Sequence, residues 1–135
     1  MPRSLIVLIS THNRADLLER TLHHLNKARH PQDWRIEILV VANACSDRTH
    51  GALQTYVETL ATPAAPAVKG PLPLQWLTEP TPGKSHALNR ALPLLKSDLV
   101  AFVDDDHRVD AKYLENACNA FQTYPNVDIF CGRII

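Results

Sequence analysis

The chain has 135 residues, 45% hydrophobic and 21% charged, which suits one domain with a single buried core. Fourteen basic residues balance fourteen acidic ones, so no global field draws the chain to nucleic acid, and nucleic acid is not an expected partner. The apolar stretch near the N-terminus is too short for a signal peptide, and no run reaches the roughly 20 residues that span a bilayer. A cytoplasmic location is expected, with peripheral contact at a membrane left open.

In chain order, residues 5–9 read as a first strand. Asn13 looks like an N-cap, with Asp16 in the first turn where negative charge is favoured. Leu18, Leu22 and Leu25 then recur at i, i+4, i+7, one face of an amphipathic helix. Residues 36–41 are a second strand. Ser46 or Asp47 can cap a second helix with Leu53, Tyr56, Val57 and Leu60 inward. Residues 61–73 are rich in alanine and proline and read as an irregular loop. Residues 74–78 form a third strand, and Pro80, Pro82 and Gly83 turn into a third helix marked by Leu88, Ala91, Leu92 and Leu95. Pro93 should kink or end that helix. Residues 97–103 are a fourth strand, and Asp110 caps a fourth helix with Tyr113, Leu114, Ala117, Cys118 and Phe121 inward. Residues 127–131 read as a fifth strand, followed by the apolar pair Ile134 and Ile135. Alternating strands and helices imply an α/β fold: three αβα layers around a mostly parallel sheet.

The strand ends carry the chemistry. Three adjacent carboxylates, Asp104, Asp105 and Asp106, follow the apolar run of strand four. In open α/β sheets ligands bind beyond the C-terminal ends of the strands. Adjacent negative charges repel, and a hard divalent cation with oxygen ligands, Mn²⁺ or Mg²⁺, is the natural compensation. Ser10-Thr11-His12-Asn13 ends strand one, Asn43 to Asp47 ends strand two, and Gly83-Lys84 opens helix three at the same edge. His107 is taken as a surface residue, and the remaining histidines lack zinc-hydrolase spacing. Cys45, Cys118 and Cys131 are odd in number and widely spaced, which fits neither a disulfide framework nor a zinc knuckle and points to a reducing compartment.

Four segments in order, residues 5–22, 38–49, 83–91 and 100–106, resemble the corresponding motifs of family 2 glycosyltransferases with the GT-A fold. The last matches the strand that bears the family's Asp-x-Asp signature. The resemblance implies a Rossmann-like half that binds a nucleoside-diphosphate sugar, a UDP-sugar being favoured, together with Mn²⁺ or Mg²⁺. Carried over by position, Ser10 and His12 lie beside the nucleobase and ribose, and Asn43 hydrogen-bonds the base edge. Lys84 approaches the diphosphate. Asp104 meets the ribose or a metal-bound water, Asp106 is the direct metal ligand, and Asp105 faces solvent. His12 stands where relatives often have Tyr, and Ala42 and Asn43 where they often have Asp, which bears on the base preference.

Residues 1–135 are expected to form one domain, the N-terminal donor-binding portion of such an enzyme, and that portion is expected to be incomplete. No residue matches the family's general base by motif, so none is assigned; the acceptor is unknown. Two functions follow: a glycosyltransferase acting on an acceptor, or a nucleotide- and metal-binding module without an acceptor site or base. A sugar nucleotidyltransferase would need a glycine-rich loop after strand one, and a phospho-receiver domain an acidic pair there; neither is present. The apolar C-terminal end suggests a sheet edge covered by a second copy or a partner chain.

Overall fold

The computed structural model describes residues 3–61 and 70–132. Four strands, β1 (Arg3–Thr11), β2 (Trp34–Asn43), β3 (Leu74–Glu79) and β4 (Leu99–Phe102), form one parallel sheet in the order β3-β2-β1-β4. Parallel neighbours need a crossover, and four helices provide the layers: α1 (Ala15–Lys27), α2 (Thr49–Leu60), α3 (Lys84–Ala91) and α4 (Tyr113–Thr123). β1 is central, and residues 5–9 are buried on both faces, as a continuous apolar run requires.

The two faces have separate cores. Leu5, Val7 and Ile9 pack with Leu18, Leu22 and Leu25 of α1, Leu53 of α2, and Leu114 and Cys118 of α4. Ile6 and Leu8 join Leu39, Val41 and the two alanines of α3, Ala87 and Ala91. The small alanine side chains let that short helix lie close to the sheet. This is the expected three-layer α/β architecture, with α1, α2 and α4 on one side and α3 on the other.

Pro93 ends α3 as expected. It cannot donate to the carbonyl four residues back, and the chain tightens into a 3₁₀ turn, Leu92–Leu94. That departure turns Leu92 outward to 58% exposure, against its expected inward place. Asn13 does not cap α1. It adopts φ +50°, and its Oδ1 accepts from the Ser46 and Asp47 amides (2.7 and 3.1 Å), bolting the β1–α1 loop to the β2–α2 loop. Asp47 takes the capping part for both helices, accepting from the Thr49 amide (3.0 Å) and the Ala15 amide (3.3 Å).

The fifth strand is absent among the described residues. Residues 127–131 run irregularly, with Ile129 82% exposed. Strand propensity reflects packing on a pleated surface, and this segment has no ladder partner to supply it. Ile134 and Ile135, and most of the alanine- and proline-rich loop, lie outside the described residues.

Candidate functional site

The C-terminal strand ends meet as expected. After β4, the Val103 amide still donates to the Leu8 carbonyl (3.1 Å), so the chain keeps its strand period for a few more residues. Ala101 and Val103 face the core of α1 and α4. Asp105 continues that parity and turns inward, only 6% exposed. The Thr11 hydroxyl donates to its carboxylate (2.9 Å), and the Thr21 hydroxyl donates to its carbonyl (2.8 Å). Asp105 is therefore a buried anchor of the acidic loop and not a solvent-facing bystander.

Its neighbours face the cleft, each beside a cation. Lys84 Nζ lies 2.7 Å from Asp104 Oδ1, and the Arg14 guanidinium stands 3.4 Å from both Asp105 Oδ1 and Asp106 Oδ2. The Lys84 hydrogen bond holds the Asp104 carboxyl below the usual carboxylate range; burial opposes this, and the charges of Lys84, His107 and Arg14 reinforce it. His107 Nδ1 accepts from the Asp104 amide (3.2 Å), which leaves Nε2 as the protonated nitrogen of the neutral ring, 3.4 Å from Asp104 Oδ2.

Two further side chains shape the cleft. His12 Nδ1 is 2.7 Å from the Asn43 carbonyl, an acceptor, so Nδ1 carries the proton and Nε2 is an acceptor in the neutral ring. The Asn43 amide is committed to the β3–α3 loop: it donates to the Glu79 and Thr81 carbonyls (3.1 and 2.8 Å) and accepts from the Gly83 amide (3.0 Å). Both its protons are used. The structure thus gives Asn43 the work of positioning the loop. Gly83, at φ +130°, occupies backbone space that side-chain-bearing residues rarely adopt and delivers Lys84 to the cleft at the start of α3.

Ser10, His12, Asn43, Lys84, Asp104 and Asp106 all line one cleft of about 390 Å³, together with Arg14 and Asp105. A second hollow of about 460 Å³ lies between α1 and α2, away from the carboxylates. The sequence motifs give Arg14, Thr11 and Thr21 no role of their own. Arg14 stands four residues beyond Ser10 at the same strand mouth, and the strand's alternation could have pointed Thr11 at Asp105. Ligand atoms of Asp104, Asp106 and His107 lie within 4.8 Å of one another. The Asp104 and Asp106 carboxylates suit a hard cation such as Mn²⁺ or Mg²⁺, and the His107 ring beside them would offer a nitrogen only on releasing the Asp104 amide, so the residues present fit the expected metal. His107, taken from sequence as a surface residue, belongs to this group.

Solved structures share the fold. A mannosyltransferase, PcManGT from Pyrobaculum calidifontis in complex with GDP-Man and Mn²⁺, is 28% identical with a TM-score of 0.73, over 90% of this chain and 33% of that one. S. aureus TarS (1–349) is 22% identical with a TM-score of 0.73, over 93% of this chain and 33% of that one. TarS in complex with UDP-GlcNAc is 23% identical at a TM-score of 0.69, over 93% of this chain and 32% of that one. The chain thus spans about a third of the length of the solved structures it matches. No curated protein matches it. The sequence profile of glycosyl transferase family 2 matches residues 6–135, nearly the whole chain, and with the GT-A-like sheet and its strand-end carboxylates this shows that the chain belongs to glycosyl transferase family 2.

Proposed function

We propose that residues 1–135 form the donor-binding portion of a glycosyltransferase, which binds a nucleoside-diphosphate sugar with a divalent cation and passes the sugar to an acceptor. The observation that carries this reading is the grouping of Asp104, Asp106 and His107 beside Lys84, at the C-terminal edge of a family 2 sheet. Asp106 is the direct metal ligand and Asp104 its support. Bound there, Mn²⁺ or Mg²⁺ supplies Lewis-acid neutralisation of the diphosphate leaving group.

The chain's own residues do the rest. Lys84 offers the diphosphate a point charge, pre-placed by Gly83 at the start of α3. Ser10 and His12 stand where base and ribose lie, and His12 Nε2 accepts a hydrogen bond from a donor on either. Asn43 fixes the β3–α3 loop that closes this side of the cleft. Thr11 and Thr21 keep the acidic loop from collapsing or swinging out. PcManGT holds GDP-Man and TarS holds UDP-GlcNAc, so guanine and uracil donors are tested side by side, the UDP-sugar being the sequence-based expectation. A cytoplasmic location belongs to the same proposal, supported by three free cysteines.

Thermal unfolding with UDP- and GDP-sugars, with and without Mn²⁺, tests the reading. A ligand at about 100 times its Kd adds about 2.7 kcal/mol, a rise in Tm of several degrees. The rise should need sugar nucleotide and metal together. Unchanged Tm with every donor and metal would overturn the proposal.

A further inference from the structure

Lys84 is asked to serve the diphosphate, yet in the structure its ammonium sits 2.7 Å from Asp104 Oδ1. The other Asp104 oxygen faces His107 Nε2 at 3.4 Å. One oxygen of the supporting carboxylate is therefore already engaged by a cation, and the other lies beside an imidazole. Asp106 differs: among the described residues its charged partner is Arg14 at 3.4 Å, and Arg14 is anchored at the same distance to the buried Asp105. Arg14 is thus held by a group fixed in the core, whereas Lys84, 61% exposed along its side chain, is held among the described residues by Asp104.

We propose that Lys84 exchanges partners as the site loads: it neutralises Asp104 in the empty site and leaves that carboxylate for the diphosphate when a divalent cation arrives. The inference rests on the donor-site reading above. A cation at Asp104 and an ammonium on the same carboxylate repel each other, so metal and Lys84 compete for Asp104. The arriving diphosphate relieves the competition by giving Lys84 a better partner, since its oxygens carry more charge and match a mobile ammonium. Metal and nucleotide then bind cooperatively, each weakly alone and tightly together, with Lys84 as the coupling residue. Arg14, tethered to Asp105, stays with the acidic loop throughout.

Mn²⁺ binding to the 135-residue chain, followed through the electron paramagnetic resonance signal of free Mn²⁺, tests the exchange without any turnover. Lys84→Met should tighten Mn²⁺ in the absence of nucleotide by about three- to fivefold, the range an exposed ion pair supports. The same variant should weaken GDP or UDP binding in the presence of Mn²⁺ by about tenfold, as loss of a charge-assisted hydrogen bond does. Lys84→Gln, which keeps a polar side chain, should give the same pattern. In an Asp104→Asn background the Lys84→Met gain in Mn²⁺ affinity should fall below about twofold, because the competition acts through that carboxylate. Asp106 still offers a carboxylate there, so the weaker binding is read at higher Mn²⁺. An unchanged Mn²⁺ affinity in Lys84→Met, or a gain that persists in Asp104→Asn, overturns the exchange while leaving the donor site standing. A wild-type chain that binds neither Mn²⁺ nor either nucleotide overturns the donor site, and the exchange with it.

Discussion

Replacing Asp105 by alanine should unfold the chain far more readily than replacing either neighbouring aspartate. The Thr11 hydroxyl, itself buried, donates to Asp105 Oδ2 at 2.9 Å. A hydrogen bond to a charged group contributes about 1.5–3 kcal/mol, and an unpaired buried hydroxyl costs about 1 kcal/mol or more. The Arg14 contact at 3.4 Å involves a half-exposed guanidinium and adds less than about 1 kcal/mol. Together these give a loss of about 3 kcal/mol for Asp105→Ala. Asp105→Asn, which keeps an acceptor for Thr11, should lose about 1 kcal/mol. Asp106→Ala removes a carboxylate that is 48% exposed and pairs, among the described residues, with Arg14, so its loss should stay below about 1 kcal/mol. Urea unfolding followed by the fluorescence of Trp34 and Trp76 reads these differences. The midpoint should fall by about 1.5 M for Asp105→Ala and by less than about 0.5 M for Asp106→Ala, with slopes unchanged. Equal midpoints for the two variants would refute the division of the triplet into one anchor and two cleft-facing groups.

Other expectations follow from the same contacts. Gly83→Ala should lose about 1–3 kcal/mol and weaken nucleotide binding, since φ +130° is strained for alanine and the new Cβ meets His86 at 3.2 Å; urea unfolding and nucleotide titration check both. The Thr49 hydrogen bonds, opposed by burial and joined by the Ala15 amide, hold the Asp47 carboxyl below its ordinary value of 3.8. Its contribution to stability is thus present above pH 3.8 and lost as pH falls through the lower folded value; Asp47→Asn should flatten that acid limb in a pH series of thermal melts. Burial pushes the Cys118 thiol up to about 12, so a thiol reagent at mildly alkaline pH should label exposed Cys131 in the native chain and Cys118 only after unfolding, as mass spectrometry of labelled peptides would show.

Much of the site was legible because it depends on where strands end. An apolar run followed by Asp104 to Asp106, and polar turns after two other strands, place the cleft without knowledge of side-chain contacts. The helix faces were legible for the same reason: Leu18, Leu22, Leu25, Leu53 and Leu114 declare themselves by period, and all are buried. What local sequence leaves open is the partner of each polar group. Asn13, Asn43 and Asp105 could each serve a ligand, a cap or the fold. Which one wins depends on contacts with residues 33 to 94 positions away in sequence. Asp105 was still recoverable from parity, since Ala101, Val103 and Asp105 share one side of the strand. The fifth strand misled for the opposite reason: its composition suits a pleated surface, but local composition cannot supply a neighbouring strand.

In the proposed donor site Asp106 makes nucleotide binding depend on the metal. Isothermal titration of UDP and of GDP into the wild-type chain and into Asp106→Ala, each with and without Mn²⁺, measures it directly. The wild-type chain should bind at least one of the two nucleotides, and more tightly with Mn²⁺, and Asp106→Ala should lose the metal's contribution. Binding of neither nucleotide by the wild-type chain, or an Mn²⁺ dependence that survives Asp106→Ala, would contradict it.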